Sequence, residues 1–333
     1  MPHGPGKQPV YGAIDLGTNN CRLLMASPAE NESGDGLRII DAFSRIVRLG
    51  EGLGASGRLS EDAMNRTIEA LKICAERMHK NNVRQSRAIA TEACRRADNG
   101  DEFLLRVKRE TGLEIKTITA VEEAELTLAG CAPLLNTGHA RVLMFDIGGG
   151  STELMWIEAE PGEPPKPVEI LSLPFGVVNL SEEYGHDSLS PGVYEEVIAR
   201  IDQALAPFEE RHAICAEIEA ERVHVLGTSG TVTTFGAIYL DLASYDRSRV
   251  DGLSIRFESV HAIAAKLAGM DSAARKAHPC IGPGREDLMA MGCAVITAIC
   301  RRWSAQNLTA ADRGIREGLL LSMMAEERNS AHG

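Results

Sequence analysis

Ala13-Ile-Asp-Leu-Gly-Thr-Asn-Asn20 returns 131 residues later as Met144-Phe-Asp-Ile-Gly-Gly-Gly-Ser151. In each copy an apolar strand runs into an aspartate, an aliphatic residue, a glycine and small polar turn residues, and a second apolar strand follows. Solenoid repeats recur every ~20–50 residues, so this spacing indicates a duplicated domain. Around the first copy, Tyr11–Ile14, Leu23–Ala26 and Leu37–Phe43 read as strands. From an N-cap at Ser60, residues Met64, Ile68, Leu71, Ala75 and Met78 recur at helical spacing. A strand at Arg87–Thr91, a helix at Asp101–Thr111, a strand at Ile115–Thr119 and a helix at Glu122–Leu135 follow, with a boundary at Pro133 to Gly138. The second copy opens with strands at Val142–Phe145 and Leu154–Ile157 and an exposed hairpin loop at Glu158–Pro167. Helices near Val193–His212, Val260–Ala268 and Leu288–Cys300, a strand at Val223–Leu226 and a final helix at Arg313–Glu326 complete the chain. Two related α/β domains facing one another across a cleft account for this order.

The 333 residues suffice for two domains, and 44% hydrophobic with 25% charged residues is an ordinary globular composition. A net charge of -12 would repel polyanions if it were uniform. It is not: Glu153–Glu221 holds 16 acidic and 3 basic residues, whereas Glu76–Lys116 holds 10 basic and 7 acidic. The first copy therefore keeps a mildly basic side on which a phosphate chain can land. No apolar leader opens the chain at Met1–Lys7, and Leu288–Cys300 falls short of the ~20 residues that span a bilayer. The eight cysteines form no C-x-x-C pair and read as reduced packing thiols of a cytoplasmic protein. Nine scattered histidines offer no metal-ligand spacing. Neither a membrane nor a nucleic-acid duplex is an expected partner.

The repeated turns suit phosphate. Glycines let backbone N–H groups approach anionic oxygens closely, and Ser151 and Thr152 add hydroxyls. Asp15 and Asp146 cannot hold phosphate directly but can hold a divalent cation that bridges to it. An ordinary hairpin would also use Gly and Asp, and the duplication weighs against that plainer reading. A third turn, Leu226-Gly-Thr-Ser-Gly-Thr-Val-Thr-Thr234, looks like a strand-to-helix phosphate loop, yet lacks the lysine of a Walker A loop and the glycine pattern of a dinucleotide turn. Val121-Glu-Glu-Ala-Glu-Leu126 opens a helix; its carboxylates either complement the helix dipole or supply one base that activates water. Arg45 and Arg48 are cleft-lining or merely solvated, Arg285-Glu-Asp287 is either a functional segment or a helix-start charge cluster, and Trp156 and Trp303 are core anchors.

Together Ile14-Asp-Leu-Gly-Thr-Asn19, Asp146-Ile-Gly-Gly-Gly-Ser-Thr-Glu153, Arg48-Leu-Gly-Glu-Gly52, Ala90-Thr-Glu-Ala-Cys-Arg95, Glu122-Glu-Ala124, Leu173-Pro-Phe-Gly176, Gly227-Thr-Ser-Gly230 and Arg313-Gly-Ile-Arg-Glu-Gly318 resemble the exopolyphosphatase/guanosine pentaphosphate phosphohydrolase family. The resemblance implies an α/β, actin-like (ribonuclease H-like) fold of duplicated domains with an interdomain cleft. The domains would be residues 1–135 and 136–312, with 313–333 a C-terminal helix packing back on the first. It implies release of terminal orthophosphate from inorganic polyphosphate, or alternatively from guanosine pentaphosphate, with Mg²⁺ or Mn²⁺ as cofactor. Glu123, Asp146 and Glu153 then form the catalytic set, with Asp15, Asp146 and Glu153 as metal ligands. Thr18, Asn19, Asn20, Arg95, Gly148, Gly149, Gly150, Ser151, Thr152, Gly227, Ser229 and Gly230 are the phosphate-binding residues. Clustering of Glu123 with the other acids is expected to raise its pKa. Glu125 and Asn179 stand where the family is usually basic. The chain resembles the short two-domain form, and a homodimer is expected by resemblance alone. Competing readings are an actin-like kinase or ATPase, and a phosphate-chain sensor without turnover.

Overall fold

Leu16 and Cys21 face each other across a tight turn, and from them Tyr11–Leu16 (β1) and Asn20–Pro28 (β2) run antiparallel, with Asp15 opposite Arg22. The computed structural model describes residues 8–29, 36–135, 138–160, 162–185, 190–281 and 284–332; Met1–Lys7, read above for a leader, lies outside them. Leu37–Ile46 (β3) adds antiparallel to β2. The short helix Leu53–Ser56 (α1) and the long Glu61–Lys80 (α2) then lead to Gln85–Ala90 (β4), parallel to β1. Glu92–Arg96 (α3) and Gly100–Thr111 (α4) precede Ile115–Thr117 (β5), and Ala120–Cys131 (α5) follows. The sheet order is β3-β2-β1-β4-β5. As its spacing predicts, α2 starts at Ser60, whose Oγ accepts from the Ala63 N–H at 3.2 Å, and it buries Met64, Ile68, Leu71 and Met78. Alternation along β1 sends Ile14 and Leu16 to the α2 and α4 side, and Tyr11 and Ala13 to the opposite face.

The second copy repeats the design. Arg141–Ile147 (β6), Thr152–Glu158 (β7) and Lys166–Leu173 (β8) form an antiparallel meander. Val177–Tyr184 (α6), Pro191–His212 (α7) and Ile214–Glu219 (α8) lead to Val223–Thr228 (β9), parallel to β6. Gly230–Tyr239 (α9), Arg247–Val250 (α10), Leu253–Arg256 (β10), Phe257–Ala268 (α11), Ser272–Ala277 (α12) and Glu286–Arg302 (α13) follow. Asn307–Ala311 (β11) lies parallel to β9 and antiparallel to β10, giving the order β10-β11-β9-β6-β7-β8. With β10 set aside, both sheets thus place three antiparallel strands beside two parallel ones in the same sequence, which is the actin-like α/β architecture, duplicated.

The chain separates into two compact units, residues 1–133 with 314–333, and residues 134–313. Ile315–His332 (α14) therefore belongs with the first unit, where Leu319, Leu320, Met323 and Met324 cover the Tyr11 and Ala13 face. It meets α5 backbone to backbone: a Cβ on Gly130 would stand 2.0 Å from the Gly314 carbonyl oxygen, and one on Gly318 2.0 Å from that of Leu126. Only glycine fits at those two positions.

Three strands (β8, β10 and β11) and six helices (α1, α3, α6, α8, α10 and α12) have no counterpart in the sequence reading. β8 is an edge strand carrying Pro167 and only half-buried, so its apolar alternation is weak. β10 spans four residues, and β11 reads Asn-Leu-Thr-Ala-Ala, a strand made by its position between β9 and β10 more than by propensity. Helix α6 follows Gly176 with no side-chain cap. The loop expected at Glu158–Pro167 is shorter, because β7 includes Glu158 and β8 starts at Lys166. Trp156 and Trp303 are core residues, and Trp303 Nε1 donates to Glu209 Oε2 at 2.7 Å. The eight cysteines are free thiols, buried except for the half-buried Cys215. Among the described residues no helix is long and apolar enough to cross a membrane.

Candidate active site

Helix α5 resolves the ambiguity among its three glutamates. Thr119 is the N-cap: its Oγ1 accepts from the Glu122 N–H at 3.1 Å, and Glu122 Oε2 accepts from the Thr119 N–H at 2.8 Å. Glu122 is thereby spent on a capping box. Glu125 is exposed, whereas Glu123, one position past the cap, turns inward and is only 8% exposed. Arg95 Nη1 meets its Oε2 at 2.8 Å and also donates to the Ile118 carbonyl at 2.8 Å. The other face of the Arg95 guanidinium grips Glu92 Oε2 through Nε and Nη2 at 3.1 and 2.9 Å. Expected as a phosphate ligand, Arg95 thus serves two carboxylates and a carbonyl within its own unit.

In the first turn Thr18 and Asn19 are buried, and Thr18 Oγ1, Asn19 Oδ1 and Asn20 Oδ1 are buried with no hydrogen-bond partner among the described residues. The segment after β3 supplies the turn's carbonyls with donors: Val47 and Arg48 N–H both reach Asn19 O, and Gly50 N–H reaches Thr18 O, at 2.9–3.0 Å. Asp15, 9% exposed, has its pKa raised by burial, against the lowering influence of Arg22 and Arg316.

The second turn follows the same plan with different chemistry. Asp146 faces Glu153 across β6 and β7 where Asp15 faces Arg22, so two carboxylates share one sheet face. Glu153 is buried, and Ser172 on β8 donates to its Oε1 at 2.8 Å. The start of α6 takes the turn's carbonyls: Val177 N–H to Gly148 O at 3.0 Å, Val178 N–H to Gly149 O at 2.8 Å, and Asn179 Nδ2 to Gly150 O at 2.6 Å. Gly176 permits this approach, since a Cβ there would stand 2.2 Å from Gly149 O. With carbonyls drawn towards α6, the amides of Gly149, Gly150 and Ser151 donate to no backbone carbonyl among the described residues. Thr152 Oγ1 donates to the Phe175 carbonyl at 2.7 Å, so its hydroxyl hydrogen is used inside the fold.

The third turn lies at the end of β9, whose Thr228 is in register with Asp146. Ser229 Oγ caps α9 by accepting from Thr231 and Val232 N–H, both at 3.1 Å. Gly227 is a glycine for packing: a Cβ would stand 2.6 Å from the Phe145 ring. Gly230 sits near Arg285, whose Nη1 would be 4.0 Å from an added Cβ. Sequence reasoning gave no role to Ser172, Glu92 or Arg22, and left Arg285 between a functional segment and a helix-start charge cluster. Cross-strand register connects Ser172 and Arg22 to the site, and no local spacing announces it.

Residues 29–327 match the Ppx/GppA phosphatase family. The chain belongs to that family. Exopolyphosphatase 2 of Mycobacterium tuberculosis is 31% identical over 322 residues, covering 93% of this chain and 97% of that protein. The crystal structure of the Aquifex aeolicus Ppx/GppA member superposes with a TM-score of 0.77 at 28% identity, covering 96% of this chain and 98% of that one. An exopolyphosphatase from Cytophaga hutchinsonii, 22% identical with a TM-score of 0.83 over 95% and 98% of the two chains, shares the fold.

Proposed function

We propose that this Ppx/GppA chain is an exopolyphosphatase-type hydrolase that removes terminal orthophosphate from inorganic polyphosphate. The observation that carries the reading is the second turn, where α6 engages the carbonyls and leaves three successive amides for an anion beside Asp146 and Glu153. The exopolyphosphatase relative, aligned over almost its whole length, supports the substrate class.

Asp146 and Glu153 would hold a divalent cation. Magnesium keeps several waters and needs one or two carboxylates besides phosphate oxygens, which fits this pair; no group of three or more metal-ligating side chains occurs among the described residues. Asp15, facing Arg22 with Arg316 nearby, is the poorer donor for a cation. A divalent cation held by Asp146 and Glu153 would offset charge on the phosphate oxygens. Phosphoryl transfer asks a protein mainly for positioning and electrostatics. Amides of Gly149, Gly150 and Ser151 receive the charge on the terminal phosphoryl group. By the family resemblance Glu123 would be the base that takes the proton of the attacking water, and within its own unit Arg95 pins the carboxylate's rotamer. The shortened polyphosphate leaves through its bridging oxygen.

Phosphate release from long polyphosphate, short polyphosphate and guanosine pentaphosphate, with and without Mg²⁺, tests the reading. Release from none of them removes it; a preference for the nucleotide moves the chain to the other activity of its family. Glu123→Ala is expected to abolish turnover and keep polyphosphate binding, and a variant retaining more than a few per cent of the rate excludes Glu123 as the base.

A further inference from the structure

Within the Gly148–Gly150 run, one carbonyl is held differently from the others. Backbone N–H groups of Val177 and Val178 hold Gly148 and Gly149, and the Asn179 amide lies 3.4 Å from Gly149 O. No backbone amide among the described residues reaches Gly150 O; the Asn179 side chain does, at 2.6 Å. In the first copy the equivalent segment reaches the turn's carbonyls through the backbone N–H groups of Val47, Arg48 and Gly50. Arg48 precedes Asn179 by 131 residues, the same interval that separates Asp15 from Asp146.

A peptide unit is planar, so fixing the Gly150 carbonyl towards α6 points the Ser151 N–H the opposite way. Glycine before that peptide offers little steric resistance to a flip, and a flipped peptide would present a carbonyl to the anion. Only the NH₂ end of the Asn179 amide can face a carbonyl, which settles its orientation. We propose that Asn179 is a positioning residue that locks the Gly150–Ser151 peptide with its N–H towards the phosphoryl group. The inference rests on the exopolyphosphatase reading above and adds a determinant of how tightly that turn holds phosphate.

The test compares wild type, Asn179→Ala and Asn179→Asp in three measurements: kcat/KM on polyphosphate, calorimetric affinity for inorganic phosphate, and Tm. Asn179→Ala is expected to lower kcat/KM roughly tenfold, a transition-state loss of about 1.4 kcal/mol. Its phosphate affinity should fall by a similar factor while Tm stays within about 2 °C, because alanine suits the first turn of a helix. Asn179→Asp, which sets acceptor against acceptor, should be worse on both counts. Kinetics and affinity within roughly twofold of wild type for Asn179→Ala overturn the proposal, as does an aspartate variant no worse than the alanine one. A loss that merely tracks a lowered Tm also overturns it. Should the aspartate variant not fold, the alanine comparison decides. Phosphate binding needs no turnover, so a wild type that binds phosphate without releasing it from any substrate sinks the enzymatic reading separately.

Discussion

Removing Arg95 should strip two largely buried carboxylates of the cation they share. Its side chain is 16% exposed, and those of Glu92 and Glu123 are 19% and 11% exposed, while the more exposed Arg96 lies 4.0 Å from the other oxygen of Glu92. Truncating one partner of a buried pair costs ~3–5 kcal/mol. The residual exposure of the carboxylates favours the lower end, so Arg95→Ala is expected to lose about 3 kcal/mol. At ~2–4 °C per kcal/mol for a unit of this size, Tm falls by roughly 6–12 °C. Both tryptophans lie in the other unit, so far-UV circular dichroism with urea is the suitable probe. Glu92→Gln in the Arg95→Ala background should recover about 1–2 kcal/mol. A loss under ~1 kcal/mol, the level of an exposed ion pair, refutes the reasoning. So does a second substitution that deepens the loss.

Ser172→Ala removes the 2.8 Å hydrogen bond that holds Glu153 Oε1; kcat/KM should drop by roughly fivefold, about 1 kcal/mol, with little change in Tm, and an unchanged rate would free Glu153 from this support. His224 is buried, and burial, reinforced by His139, pushes its pKa down to about 4. The unfolded chain takes up that proton near pH 6.5, so the stability contributed is whole above ~6.5 and lost as pH falls through about 4, up to roughly 3 kcal/mol. His224→Asn should flatten this limb of the stability curve, and acid unfolding identical to wild type would show that the proton is absorbed elsewhere.

Local chemistry carried much of this molecule. The Ser60 cap and the periodic face of α2 are set by residues three or four apart, where backbone geometry alone decides which groups meet; the Thr119–Glu122 capping box is equally local, yet the sequence reads as a strand up to Thr119. The twin hairpins were equally legible, since a strand ending in Asp and Gly dictates its own turn. Edge strands such as β8 escaped because half-exposed residues carry little alternation, and β11 because its neighbours create it. Within the Val121–Leu126 segment the residues could not say which glutamate turns inward; Arg95, 28 positions earlier, settles that for Glu123.

By itself the sequence determined the duplication, the two Asp-Gly turns, the strand–helix grammar and the family. Tertiary structure alone decided that Asp15 faces an arginine while Asp146 faces a second carboxylate, that Ser172 and Asn179 brace Glu153 and Gly150, and that Gly130 and Gly318 bring α5 against α14. The division has one physical cause. Propensity, capping and turn formation act over a few bonds and leave a periodic trace, whereas register and helix contact join residues separated by tens or hundreds of positions, whose spacing in the chain carries no sign of the meeting.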